Sequence, residues 1–97
     1  MSRAVRFRPA AEDDIRAIYR NGFVEFGREQ ADRYHDGLDA VFDFLARYPR
    51  AARLREEIDP AVRAHPYKAH LIVYELGDGD LVTILRVRHG HEDWMSD

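Results

Sequence analysis

The chain has 97 residues, of which 45% are hydrophobic and 34% charged; 15 Lys/Arg against 18 Asp/Glu give a formal net charge of −3, and there is no cysteine. These numbers describe one small domain, residues 1–97, burying about 60 to 65% of its unfolded surface, so its stability is thin and a partner can matter. They exclude a disulfide framework, a disordered chain and a bilayer-spanning segment, and they argue against binding nucleic acid through bulk charge.

The opening Met-Ser-Arg-Ala-Val-Arg-Phe-Arg has no uninterrupted apolar run like that of a signal peptide, which gives the expectation of a cytoplasmic protein. Ala4 to Arg8 alternates apolar and charged residues, so a short first strand is expected with Val5 and Phe7 inward, ended by Pro9. Pro9 with Glu12, Asp13 and Asp14 is a helix start, because Pro suits the first turn and acids there face the positive end of the dipole. Ile15, Ile18, Tyr19, Phe23 and Phe26 fall on one side of that helix, Asn21-Gly22 is a candidate kink, and Gly27 ends it. A second helix over residues 28–48 aligns Ala31, Tyr34, Leu38, Val41, Phe42 and Leu45 before Pro49, which makes a helical hairpin.

Residues 49–60 read as a charged connector. From residue 61 the hydrophobic period changes to two. Three strands are expected: 62–65, 70–76 and 81–89, with a turn at Pro66-Tyr67-Lys68 and a tight hairpin at Gly77-Asp-Gly-Asp80. The last two should form the centre of the sheet. The expected fold is α+β: an N-terminal strand, an α-helical hairpin, then a three-stranded antiparallel β-sheet with the helices on one face.

Few residues suit nucleophilic catalysis, since there is no Cys, Thr83 stands alone in a strand, and Ser2 and Ser96 lie near the ends. No metal site is expected, because His89-Gly-His91 with Glu92 and Asp93, even joined by His65 and His70 from neighbouring strands, lacks the spacing of known zinc motifs. His89 at the end of a central strand is a candidate acid/base group. Arg86 and Arg88 share the parity of Val82 and Ile84, so the expectation is one strand face turning from apolar to cationic. Such a pair can grip carboxylates or phosphates, or can pair internally with Glu75 or with helix acids such as Asp39 and Asp43. Gly37, Ala40, Phe44 and Tyr48 form a second stripe on helix two, placed either under the connector or against another protein.

Phe7-Arg-Pro-Ala-Ala-Glu-Asp-Asp-Ile15, Gly27-Arg-Glu-Gln-Ala-Asp-Arg-Tyr34, Tyr48-Pro49, Leu71-Ile-Val-Tyr74 and Ile84-Leu-Arg-Val-Arg-His-Gly-His-Glu-Asp-Trp94 together resemble the RelE/ParE superfamily of bacterial toxins, with the last segment closest to the ParE branch. The resemblance spans nearly the whole chain. It implies the toxin of a type II toxin-antitoxin system, neutralised by a cognate antitoxin of ribbon-helix-helix type, with plasmid stabilisation as its setting. For the ParE branch it implies inhibition of DNA gyrase without an enzymatic step. No cofactor, membrane contact or direct DNA binding by the toxin alone is expected. Ribonuclease members of the superfamily use an arginine on the strand matching residues 70–76; that position falls at Leu71 here, and their Tyr- or Arg-rich tail is missing.

A net charge of −3 hinders approach to ribosomal RNA and suits a protein target. Candidate target contacts are therefore Arg86, Arg88, His89 and Trp94, and candidate antitoxin contacts are Phe44 and Tyr48. The alternative is a ribosome-dependent mRNA endonuclease with Arg63, Arg86 and His89 as its catalytic set. A third is an inactive co-regulatory relative.

Overall fold

The computed structural model describes residues 5–90. Five strands make a single sheet in the order β1-β5-β4-β3-β2, where β1 is Arg6–Phe7, β2 Leu54–Arg55, β3 Val62–Tyr67, β4 His70–Leu76 and β5 Val82–His89. β1 runs parallel to β5, and the other neighbours are antiparallel. The α+β class and the central place of β4 and β5 agree with the sequence expectation; the three-stranded sheet does not. The N-terminal strand joins the same sheet, and Leu54-Arg55, inside the expected connector, pairs with Arg63 and Val62. Two residues are too few to show a period of two, so this pairing is set by tertiary contact rather than by pattern.

The hairpin helices are α1, Pro9–Phe26, and α2, Arg28–Arg47. Pro9 occupies the first turn of α1. Gly27, at φ 90°, closes α1 and opens α2 in a backbone conformation that side-chain-bearing residues rarely adopt. Asn21-Gly22 does not break α1. Instead Gly22 lies against Ala31, where an added Cβ would come 3.8 Å from the alanine's own Cβ. Ala11, Leu38, Phe42 and Leu45 pack on Ile72, Tyr74, Val82, Ile84 and Val87, with Ile15 and Ile18 at the margin. Phe7 and Phe42 meet edge to face, ring centroids 5.0 Å apart.

The expected inward stripe of α1 stops short. Phe23 is 44% and Phe26 57% exposed, because beyond Ile18 the helix leaves the main cluster. Periodicity shows which residues share a helix side, but not how far the sheet beneath extends.

The β3–β4 turn is Lys68-Ala69, since Pro66 and Tyr67 continue β3 and pair with Leu71 and His70. Proline is tolerated at 66 because β2 pairs only with Val62 and Arg63, leaving the rest of β3 as a sheet edge. The β4–β5 connection is the expected short hairpin, its loop closed by the Gly77 N–H on the Leu81 carbonyl at 2.8 Å and shaped by a 3-10 turn over Asp78–Asp80.

A bulge changes the reading of β5. Tyr74 pairs with Ile84 but Val73 pairs with Arg86, leaving Leu85 as the extra residue. The buried row therefore continues from Val82 and Ile84 to Val87, and Arg86 and Arg88 lose the parity expected of them. Arg86 does pair internally with a helix acid, but the acid is Asp14 on α1 rather than Asp39 or Asp43, while Glu75 takes Arg8 at 3.6 Å. A one-residue bulge has no sequence signature here, so simple alternation assigns the residues after it to the wrong face.

The connector is held from below. The Tyr74 hydroxyl, on a residue with no exposed surface, donates to the Pro49 carbonyl at 2.8 Å. Arg63 donates to the Ala52 carbonyl at 2.6 Å. Burial pushes the Tyr74 phenol above its ordinary pKa.

Candidate functional site

At the end of the sheet where β4 begins and β5 finishes, His70 and His89 sit opposite one another in the ladder, ring centroids 5.5 Å apart and nearly perpendicular. Tyr34 of α2 places its hydroxyl 2.5 Å from His70 Nδ1. Tyr67 donates to the Tyr34 carbonyl at 3.0 Å, and the two tyrosine rings meet edge to face. Lys68 Nζ lies 5.7 Å from the centroid of each ring, a favourable place for a cation. Burial raises the pKa of Tyr34, so its phenol stays protonated and remains able to donate to His70.

This cluster borders a cavity of about 430 Å³ between the helices and the sheet end, bounded by Ile18, Phe26, Leu38 and both histidines. Tyr19 also lines it, and its hydroxyl donates to Asp32 at 2.6 Å. That bond to the neutral phenol raises the Tyr19 pKa. By sequence His70 is only a residue on a strand neighbouring that of His89. Tyr34 falls on the apolar stripe of α2, and a tyrosine there gives no sign in the sequence of what its hydroxyl meets.

The residues proposed for catalysis are not gathered. Arg63 lies in the row of Tyr74 and Ile84, two strands from β5, whereas His89 lies four residue pairs further along at His70. By strand spacing and rise, that is about 16 Å between Arg63 and His89 backbones. Arg63 is tied to the Ala52 carbonyl, and Arg86 is tied to Asp14 by Nε at 2.7 Å and Nη2 at 3.0 Å. Arg88 pairs in register with Leu71, next to His89. Trp94 lies outside the described residues.

Phe44 and Tyr48 are placed as a surface pair, 41% and 59% exposed, with ring centroids 5.2 Å apart. Phe44 also contacts the His65 ring at 5.6 Å. The stripe they were read into is split. Gly37 faces the Tyr67 hydroxyl so closely that an added Cβ would collide with it, whereas Ala40 is exposed. Leu54, 40% exposed, is a further exposed apolar side chain, opposite Arg63 on β2. Among the described residues no group of three or more His, Cys, Asp or Glu is arranged to hold a metal, and no helix is long and apolar enough to cross a membrane.

Residues 5–94 match the family model of the ParE toxin of the type II toxin-antitoxin system parDE. The chain belongs to the ParE toxin family. Toxin ParE3 of Caulobacter vibrioides is 30% identical to it over 90 residues, covering 93% of this chain and 88% of that one. Toxin ParE1 of Mycobacterium tuberculosis is 28% identical over 93 residues, covering 96% and 95%. A solved structure of the chromosomal ParDE TA system from P. aeruginosa superposes with a TM-score of 0.75 at 20% identity, covering 89% of this chain and 94% of that one. The ParE fold thus accounts for the strand, helical hairpin and following strands, and the match takes in the strand-end histidines and the Phe44/Tyr48 pair.

Proposed function

We propose that this ParE toxin acts in the cytoplasm as one domain that inhibits DNA gyrase by binding it, and that a cognate antitoxin of ribbon-helix-helix type neutralises it by covering α2. Membership of the ParE family supports the toxin role. The observation that carries the non-catalytic reading is the dispersal of Arg63, Arg86 and His89, two of which are held by internal partners. An RNA-cleaving centre needs phosphate-binding and proton-transferring groups that converge on one reacting atom. Arg88 and His89 at the end of β5 are the leading target contacts; Arg86 is held by Asp14, and Trp94 lies outside the described residues. The net charge of −3 fits approach to a protein surface better than to an RNA one.

The test is gyrase supercoiling and gyrase-mediated DNA cleavage with purified toxin, beside primer-extension mapping of messages after induction. Inhibited supercoiling with intact messages is expected. Codon-positioned cuts that vanish in His89→Ala, with gyrase unaffected, would replace this reading with a ribosome-dependent nuclease.

A further inference from the structure

We infer that the cavity between the helical hairpin and the end of the sheet is a binding site for a small aromatic carboxylate, with its ring among the apolar walls and its carboxylate against the His70/His89 pair. This goes beyond the toxin role and does not depend on which target or antitoxin the chain meets.

At about 430 Å³ the cavity falls toward the lower end of the range for ligand pockets, and it shares their make-up of apolar walls with a few polar groups gathered at one place. Ile15 and Ile18 of α1 and Leu38 of α2 form the walls nearest the core, and the rings of Tyr19, Phe26 and Tyr34 complete them. Aromatic walls suit a flat, aromatic occupant.

The polar end is held from behind. His70 and His89 face each other across β4 and β5, and the Tyr34 hydroxyl lies 2.5 Å from His70 Nδ1 while the Ala69 backbone hydrogen-bonds the same oxygen. This contact serves either protonation state, because the phenol donates to a neutral ring and its oxygen accepts Nδ1–H from an imidazolium. A proton taken up by the pair is thus accommodated, and a carboxylate placed against it gains charge-assisted hydrogen bonds.

The charges around the space select the head group. Lys68, on the β3–β4 turn, lies at the histidine end over the Tyr34 and Tyr67 rings. Arg88, next to His89, belongs to the alternate row of β5. On α2, Asp32 accepts the Tyr19 hydroxyl and Asp39 faces His35 at 3.6 Å, so both carboxylates already have partners. Glu25 is exposed and stands seven residues past Ile18, about 10 Å further along α1, at the hairpin end that also carries Arg28. A cationic head at the histidine end would meet Lys68 and two imidazoles, and a neutral one would cover their polar edges without a charged partner in return.

The test titrates 2-naphthoate into the full-length toxin by calorimetry and follows backbone amides by NMR, beside 2-naphthamide and 2-naphthylmethylammonium as neutral and cationic versions of the same ring. Expected is one site with a Kd of about 0.1 to 1 mM, amide shifts centred on Gly22, Ala31 and Ala69, the amide ligand about tenfold weaker and the ammonium weaker still. Because the pair gains charge as pH falls through the range where histidines titrate, the carboxylate should bind about five- to tenfold more tightly at pH 6 than at pH 8. His89→Gln and His70→Gln should each remove most of that gain. Circular dichroism and urea midpoints establish that each variant is folded; should His70→Gln unfold for want of its tyrosine partner, His89→Gln carries the test alone. Equal affinity for carboxylate and amide, a pH response that survives the substitutions, or no saturable binding up to about 5 mM overturns the proposal. If 2-naphthoate leaves the three amides unmoved while added antitoxin or a raised toxin concentration shifts them, the cavity belongs to a protein segment and the proposal fails.

Discussion

Asp14 and Arg86, 72 residues apart, form a two-point ion pair that also secures the backbone. The carboxylate, on a side chain only 17% exposed, takes both Arg86 Nε and Nη2 and accepts the Val87 N–H at 2.9 Å. The strand β1 ends at Phe7, opposite Ile84, so among the described residues the rest of this β5 edge has no strand neighbour. Asp14 supplies that acceptor from α1, just past the bulge. Removing it takes two hydrogen bonds from the Arg86 guanidinium and one from a backbone donor together. Asp14→Ala is expected to lower stability by about 2 to 4 kcal/mol and Asp14→Asn by about half as much, read from urea unfolding midpoints. Equal midpoints for Asp14→Ala and the parent would show that water replaces the carboxylate without loss.

Toxicity and neutralisation should be separable by mutation. Arg88 lies in the row of Leu71, which alternates with the helix-facing row of His70 and His89, whereas Phe44 projects from α2. Arg88→Glu is expected to reduce growth arrest at least tenfold while antitoxin affinity stays within threefold. Phe44→Asp should do the reverse, arresting growth even when antitoxin is co-expressed. Plating efficiency with and without antitoxin, beside pull-down of the complex, distinguishes the two. Loss of both properties in either variant, with the fold intact, would place target and antitoxin on one surface.

Alkaline pH should destabilise the toxin through its buried phenols. Burial raises the pKa of both Tyr34 and Tyr74 from the ordinary value of 10.0. Above pH 10 the unfolded chain therefore releases protons that the folded chain still holds. Stability contributed by these groups is complete below that pH and is lost as pH rises through the folded-state values. Urea midpoints at pH 9, 10 and 11 should fall over the upper interval, and the fall should shrink in Tyr74→Phe and again in Tyr34→Phe/Tyr74→Phe. A slope that is the same in parent and double variant would assign the loss to other groups.

The sequence made the long elements legible because each repeats its signal. Leu38, Phe42 and Leu45 mark the buried side of α2 at helical spacing, and Ile72 and Tyr74 alternate along β4, so the hairpin and the central strands followed directly. What stayed hidden depends on a single residue or on distance along the chain. Leu54-Arg55 pairs for two residues, Leu85 shifts the register by one, and Phe23 lies where no strand supports it. The same holds at the site. His89 was found by type and position at a strand end, whereas Tyr34 with His70, and Asp14 with Arg86, are pairings between remote elements that only the assembled sheet defines.

Gly37 offers a test of how tightly α2 is keyed to β3. In an exposed helix, Gly→Ala stabilises by about 1 kcal/mol. Here the added methyl would collide with the Tyr67 hydroxyl, which is itself committed to the Tyr34 carbonyl. Relief requires Tyr67 to turn away, which breaks that bond and disturbs the edge-to-face contact of the two rings. Gly37→Ala is therefore expected to cost about 1 to 3 kcal/mol despite its better helix propensity. Tyr67→Phe alone should cost about 1 kcal/mol for the lost hydrogen bond. It also removes the atom that the methyl meets first, so the double variant should be more stable than the sum of the single changes, by about 1 kcal/mol or more. Urea unfolding of all four proteins closes the cycle. Strict additivity would mean that Tyr67 moves aside freely and that the two elements are not locked at this point.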